Sequence, residues 1–185
     1  MAGLLARLVR RVPRLPAGRR PPLEPEERVV AWAPVSDDGA GGPQTVVATN
    51  RGLWLPGEAR LGWHLIHKAV WSGRQLAVTP AEVVERRDGY DVVVDAPPRT
   101  YLLLEPDHVP EQVRTRVTGS VAYTQLHPAP DGGRVRVVAR RVSGVDGLAW
   151  AVRAETGVDL GSPAARAAVD LLVERARAQL SAPEP

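Results

Sequence analysis

His64 and His67 stand three residues apart, a spacing that sets two imidazoles on one face of a helical turn, where they could fill two places of a zinc shell. A third ligand is missing. The chain has no Cys, and no HExxH motif surrounds either histidine. The pair therefore reads as packing or partly exposed residues beside Trp63, and no metal is expected. Ser72, Ser120 and Ser143 have no evident His and Asp partners. There is no GxSxG, no GxGxxG, no P-loop and no carboxylate pair at a recognisable spacing. The expectation is a protein that is not an enzyme and uses no cofactor.

Arginine is the chemistry-bearing type that remains. All 24 basic residues but Lys68 are Arg, while Phe is absent and Ile66 is the only Ile. That bias is the mark of GC-rich coding, so Arg abundance alone says little about phosphate, although the guanidinium fork suits it. Position says more. Arg134, Arg136 and Arg140 line one face of a strand, with Arg141 on the other, and Arg114 and Arg116 lie on a preceding helix. These are the candidate nucleic-acid contacts. No aromatic residues interleave with them for stacking, so nucleic acid is the less favoured partner. Arg51 at a hairpin tip, with Lys68 and Arg74 on nearby strands, is a candidate anion pocket. Trp32, Trp54, Trp63, Trp71 and Trp150 must supply the bulky core where Phe is absent, and the three within 54–71 could instead wall a groove.

The net charge of +3 conceals an uneven distribution. Residues 1–22 carry six Arg and no acid, residues 23–110 are acidic, and residues 111–154 are basic again. Leu4, Leu5, Leu8, Val9 and Val12 fall on one face of a short helix, with Arg7, Arg10, Arg11 and Arg14 on the other. Such an arm suits an anionic membrane surface or an acidic partner. It is too short to be a stable helix alone. The apolar run is broken by Arg and lacks a cleavage site, so it is not read as a secretory signal. No stretch approaches the length of a membrane span.

The elements that must position these residues follow from patterning. Pro13 and Pro16 end the arm, and Pro21, Pro22 and Pro25 mark a linker. Seven antiparallel strands are predicted at Arg28–Val35, Thr45–Thr49, Leu53–Leu55, Lys68–Ser72, Gln75–Val84, Tyr90–Asp95 and Thr100–Glu105. Arg60 to Ile66 reads as irregular. Asp107 is the expected N-cap of a helix, with Pro110 in its first turn and Val109, Val113, Val117 and Val121 as its apolar stripe. A loop over His127–Gly133 precedes a hairpin in which Val135, Val137 and Ala139 face Leu148, Trp150 and Val152. The last helix has Ser162 as N-cap and Pro163 at its first position. Ala165, Ala168, Val169, Leu172, Val173, Ala176 and Leu180 form its buried stripe.

Val46-Val47-Ala48-Thr49-Asn50-Arg51-Gly52-Leu53-Trp54-Leu55, then Gly62-Trp63-His64-Leu65-Ile66, Ala69-Val70-Trp71 and Leu76-Ala77-Val78-Thr79, resemble bacterial pleckstrin-homology-like (PH-like) domains. The resemblance spans about residues 28–125 and is strongest to a group of uncharacterised actinobacterial proteins. It implies two orthogonal sheets plugged by a helix. Lipid-binding members use basic residues at the first strand pair, whereas here Asp37 and Asp38 would repel a phosphorylated headgroup. The expected fold is α+β: an arm and linker (1–27), a PH-like seven-stranded barrel with capping helix (28–125), and a β-hairpin and helix packed on it (126–185). The expected role is a cytoplasmic, non-enzymatic binding or scaffolding module for a protein partner, peripheral to the inner membrane surface through its arm. A nucleic-acid-associated protein using the Arg-rich helix and hairpin is the alternative.

Overall fold

The computed structural model describes residues 14–36, 44–129 and 132–181. The chain folds as α+β, with a curled mixed sheet forming a half-barrel and two helices. Strands β1 (Val29–Pro34), β2 (Thr45–Thr49), β3 (Gly52–Trp54) and β4 (Leu61–Gly62) pair in sequence order as an antiparallel sheet. Small and branched side chains alternate inward: Ala31, Ala33, Val46, Ala48 and Leu53 are buried. A 3-10 turn, Trp63–Leu65, then leads into β5 (Ile66–Ser72).

Strand β6 (Gln75–Arg87) is 13 residues long, and the chain returns along it as two pieces, β7 (Tyr90–Asp95) and β8 (Arg99–Leu102). Asp95 lies opposite Ala81 and Arg99 opposite Val78, so Pro97 and Pro98 interrupt one long antiparallel return. Proline cannot donate to a ladder, so the break falls where the chain changes sheet. The first half of β6 lies between β5 and β8; the second half pairs with β7. Val35 bridges Leu103, and the Leu104 N–H donates to the Pro34 carbonyl at 2.9 Å, joining the four-stranded sheet to β8.

Helix α1 (Val109–Ser120) closes this first unit, burying Val109 and Val113 against Trp63, Leu76 and Leu103. Strands β9 (Val121–Pro128), β10 (Arg134–Arg141) and β11 (Leu148–Ala154) form the second, and β11 docks parallel to β7 with Val152 opposite Val92. Helix α2 (Pro163–Ser181) covers that sheet, and Val169, Val173 and Ala176 pack with Tyr90, Val135, Val137 and Val152. The predicted cap of α2 is present: Ser162 Oγ accepts from the Ala165 N–H at 3.1 Å.

The sequence reading is corrected in several places. Among the described residues, eight strands precede α1 rather than seven, because Leu61–Gly62 pairs with β3 inside the stretch read as irregular. Strand β6 runs past Val84 to Arg87, and β8 ends at Leu102 rather than Glu105. Asp107 is not the N-cap; it has φ 39° in the turn before the helix, and His108 occupies the cap without a side-chain bond. The valine stripe stops one position early. Val121 ends α1 and opens β9, a strand absent from the sequence reading. Gly119 weakens the helix, while the following Val, Tyr and Thr favour a pleated surface, and pairing with β10 decides the outcome. Leu180, placed in the buried stripe of α2, is 44% exposed near the helix end.

Candidate functional site

The arm residues Leu4, Leu5, Arg7, Leu8, Arg10 and Arg11 lie outside the described residues; Arg14 is exposed. Arg51, Lys68 and Arg74 do not converge. Arg51 is held by Glu24 at 2.8 Å and Glu26 at 3.8 Å, while Lys68 and Arg74 are exposed towards opposite ends of the β5–β6 hairpin. The second arginine set is also divided. Arg114 is exposed on α1, and Arg116 lies over the Trp63 ring at 6.0 Å. Arg134 pairs with Glu155 at 3.1 Å, whereas Arg136 and Arg140 are only half-exposed on the face of β10 turned away from α2.

The opening that best fits a macromolecular partner lies elsewhere. Among the described residues strand β5 pairs only with β6, so every second residue of β5 turns its N–H and C=O away from the sheet. Helix α1 packs against β5 beside that edge. Ala69 and Trp71 point to the core side of β5 yet stay half-buried, whereas Leu76 and Val78 of the neighbouring strand are sealed. The gap is a cleft of about 500 Å³, walled by Ala69, Val70, Trp71 and Leu76 on the sheet and by Pro110 and Val113 on α1, with Glu111 and Arg114 as its charged rim. Val70, 41% exposed, stands on the outer face of the same strand.

The two histidines separate. His64 lies in the 3-10 turn and His67 in β5. Gly62 lets the His64 ring lie close over the backbone: a β-carbon there would come within 2.6 Å of the ring and push it aside. His67 Nδ1 lies 2.7 Å from Asp95 Oδ1, and no metal-ligand cluster exists among the described residues. Burial holds the His64 imidazole below its ordinary 6.5, and the Arg140 charge adds to this. Burial also lowers His67; the Asp95 hydrogen bond opposes the shift without cancelling it, and Arg153 reinforces it. A histidine depressed in the fold is neutral there, while the unfolded chain takes up its proton near 6.5. The associated stability is therefore complete above pH 6.5 and is lost as pH falls through the folded values. Urea titrations at pH 7.5 and 5.5 are expected to show the fold weakening at the lower pH. The double variant His64→Gln, His67→Gln is expected to flatten that change.

Sequence reasoning did not single out Asp95, Arg153 or Glu27, and it offered Trp71 as a groove wall only together with Trp54 and Trp63, of which Trp63 is buried in the core. Strand alternation marks Trp71 as inward-facing, but only the helix position shows that it is left half-covered. Comparison with protein-family models, with curated proteins and with solved structures finds no match to this chain. Among the described residues, no helix is long and apolar enough to cross a membrane.

Proposed function

We propose that the chain is a non-enzymatic, cytoplasmic binding module of PH-like build that receives an extended segment of a protein partner at the edge of β5. The PH-like reading is supported by four strands and then β5, β6 and the interrupted return β7–β8, followed by a helix packed against both groups. The partner reading rests on one observation: the half-covered inner face of β5 lies beside an edge to which no described strand pairs. An added strand would satisfy the free backbone groups and seat alternate side chains in the cleft. The basic arm gives such a module a second, electrostatic contact with an anionic membrane surface.

The test is selection of peptides from a random displayed library on the full chain, followed by NMR of the amide groups with a selected peptide. The largest shifts are expected at Ala69, Val70 and Trp71, with slowed solvent exchange at the outward-facing amides. Pro110→Asp sets a charge at the lip of the cleft while suiting a helix start. It is expected to weaken peptide binding about tenfold at unchanged melting temperature. Selection of no binder, or shifts confined to the α2 side of the second sheet, would overturn the reading.

A further inference from the structure

The sheet β7–β11–β10–β9 has two unlike faces. One is apolar and covered by α2. The other carries Arg136 and Arg140 of β10 and Arg153 of β11, which lies opposite Arg136 in the register. An arginine face on a sheet is ordinarily solvated. Here the 3-10 turn and the start of β5 come over it, bringing His64 and His67 to the same cluster, and Arg140 and Arg153 are half-buried. Asp95 of β7 is the carboxylate at their centre, contacted by both His67 and Arg153. Glu155 at the rim is taken by Arg134. Among the described residues, Arg136 and Arg140 form no ion pair. Arg136 reaches only the Thr124 hydroxyl, at 3.4 Å, and Arg140 the Ser120 hydroxyl, at 2.8 Å.

Like charges gathered under partial cover, with too few acids to balance them, repel one another and await an anion. A cleft of about 720 Å³ opens beside them, lined by Asp95, Leu126, Arg136, Arg153, Glu155 and Val158 among others; of its two carboxylates, Asp95 is taken by Arg153 and His67, and Glu155 by Arg134. That size suits a small molecule. Guanidinium forks on adjacent strands suit the several oxygens of a phosphate. We infer that this cleft binds the phosphate group of a small phosphorylated molecule between Arg136 and Arg153, with the Arg140 charge, which lies outside the cleft lining, adding to the field they set up. The site is separate from the β5 groove and does not depend on it.

Inorganic pyrophosphate is the probe, titrated calorimetrically into the full chain, with citrate as a carboxylate control and a single-stranded oligonucleotide as a polymeric one. Saturable pyrophosphate binding that weakens with added salt is expected, well above that of citrate. Arg153→Gln and Arg136→Gln should each weaken it about ten- to a hundredfold, while the exposed Arg74→Gln leaves it unchanged. Arg140→Met adds a readout that a structural role would not give. Ser120 keeps its bond to the Val117 carbonyl at 2.7 Å, and like-charge repulsion is relieved. The melting temperature without ligand should hold or rise while pyrophosphate affinity falls. No saturable binding, tighter binding of citrate or of the oligonucleotide, or an Arg140→Met protein that melts earlier yet binds pyrophosphate as before, would overturn the inference.

Discussion

Replacing Glu27 by alanine is expected to cost about 3–5 kcal/mol of folding stability, the usual penalty for removing one partner of a buried charged network. The Glu27 side chain has no exposed surface. Its Oε1 accepts from Thr49 Oγ1 at 2.7 Å and Trp54 Nε1 at 3.0 Å, and its Oε2 from Arg60 at 2.8 Å and the Glu24 N–H at 3.1 Å. Four donors converge on two oxygens from β2, β3, the loop before β4 and the preceding linker. Alanine would leave Trp54 Nε1 and Arg60 Nη1 short of an acceptor, with the contacts of Glu24 and Asn50 left to hold the linker to the sheet. Glutamine keeps the volume but turns an N–H₂ towards donors, so it is expected to be nearly as damaging.

Acid acts on the same network. Burial pushes the Glu27 carboxyl up, but hydrogen bonds from Thr49, the Glu24 backbone, Trp54 and Arg60 together hold it below its ordinary 4.5. A carboxylate depressed in the fold contributes stability above its unfolded value, and that stability is lost as pH falls through the folded one. The wild type should therefore weaken more steeply than Glu27→Ala below about pH 4.5. Urea unfolding at pH 7 and pH 4 checks both statements. A loss under about 1 kcal/mol at pH 7 would show that the network contributes no more than an exposed ion pair.

Trp63→Ala is the second large effect, about 3–5 kcal/mol, since it empties the volume of the largest fully buried side chain. Trp63 is 2% exposed, packs in the first core and donates its indole N–H to the Thr49 carbonyl at 3.1 Å. The 3-10 turn that carries it also positions His64, so the loss should spread towards the second sheet. Trp63→Phe separates the contributions. It keeps most of the ring and removes one hydrogen bond, for about 1–2 kcal/mol. Equal losses for Ala and Phe would place the effect in the hydrogen bond rather than in packing.

Most strands were legible because each is short, alternates and ends at turn residues. The Asp88-Gly89 turn is an instance. Gly89 has φ 76°, which its lack of a side chain permits, and the Arg177 guanidinium of α2 donates to its carbonyl. The last helix was legible from Ser162 and Pro163. What sequence patterning could not supply is non-local. The stretch 121–128 satisfies a helix stripe at its first residue and a strand thereafter, and its partner β10 settles the matter. Arg136 and Arg140 were readable as one strand face. Their half-burial depends on a turn some seventy residues earlier in the chain. The β5 groove likewise depends on how far α1 leaves Trp71 uncovered.

The long strand β6 and its broken return β7–β8 link the two hydrophobic cores: Leu76 and Val78 of β6 and Tyr101 of β8 pack in the first, Tyr90 and Val92 of β7 in the second. Neither half can come apart and keep its own sheet whole. Unfolding the second half strips β7 of β11, and unfolding the first strips β6 of β5 and β8. The two cores are thereby tied into one cooperative transition. Because β7 must find β11 some sixty residues downstream, the closing step of folding is a long-range search rather than a local zip.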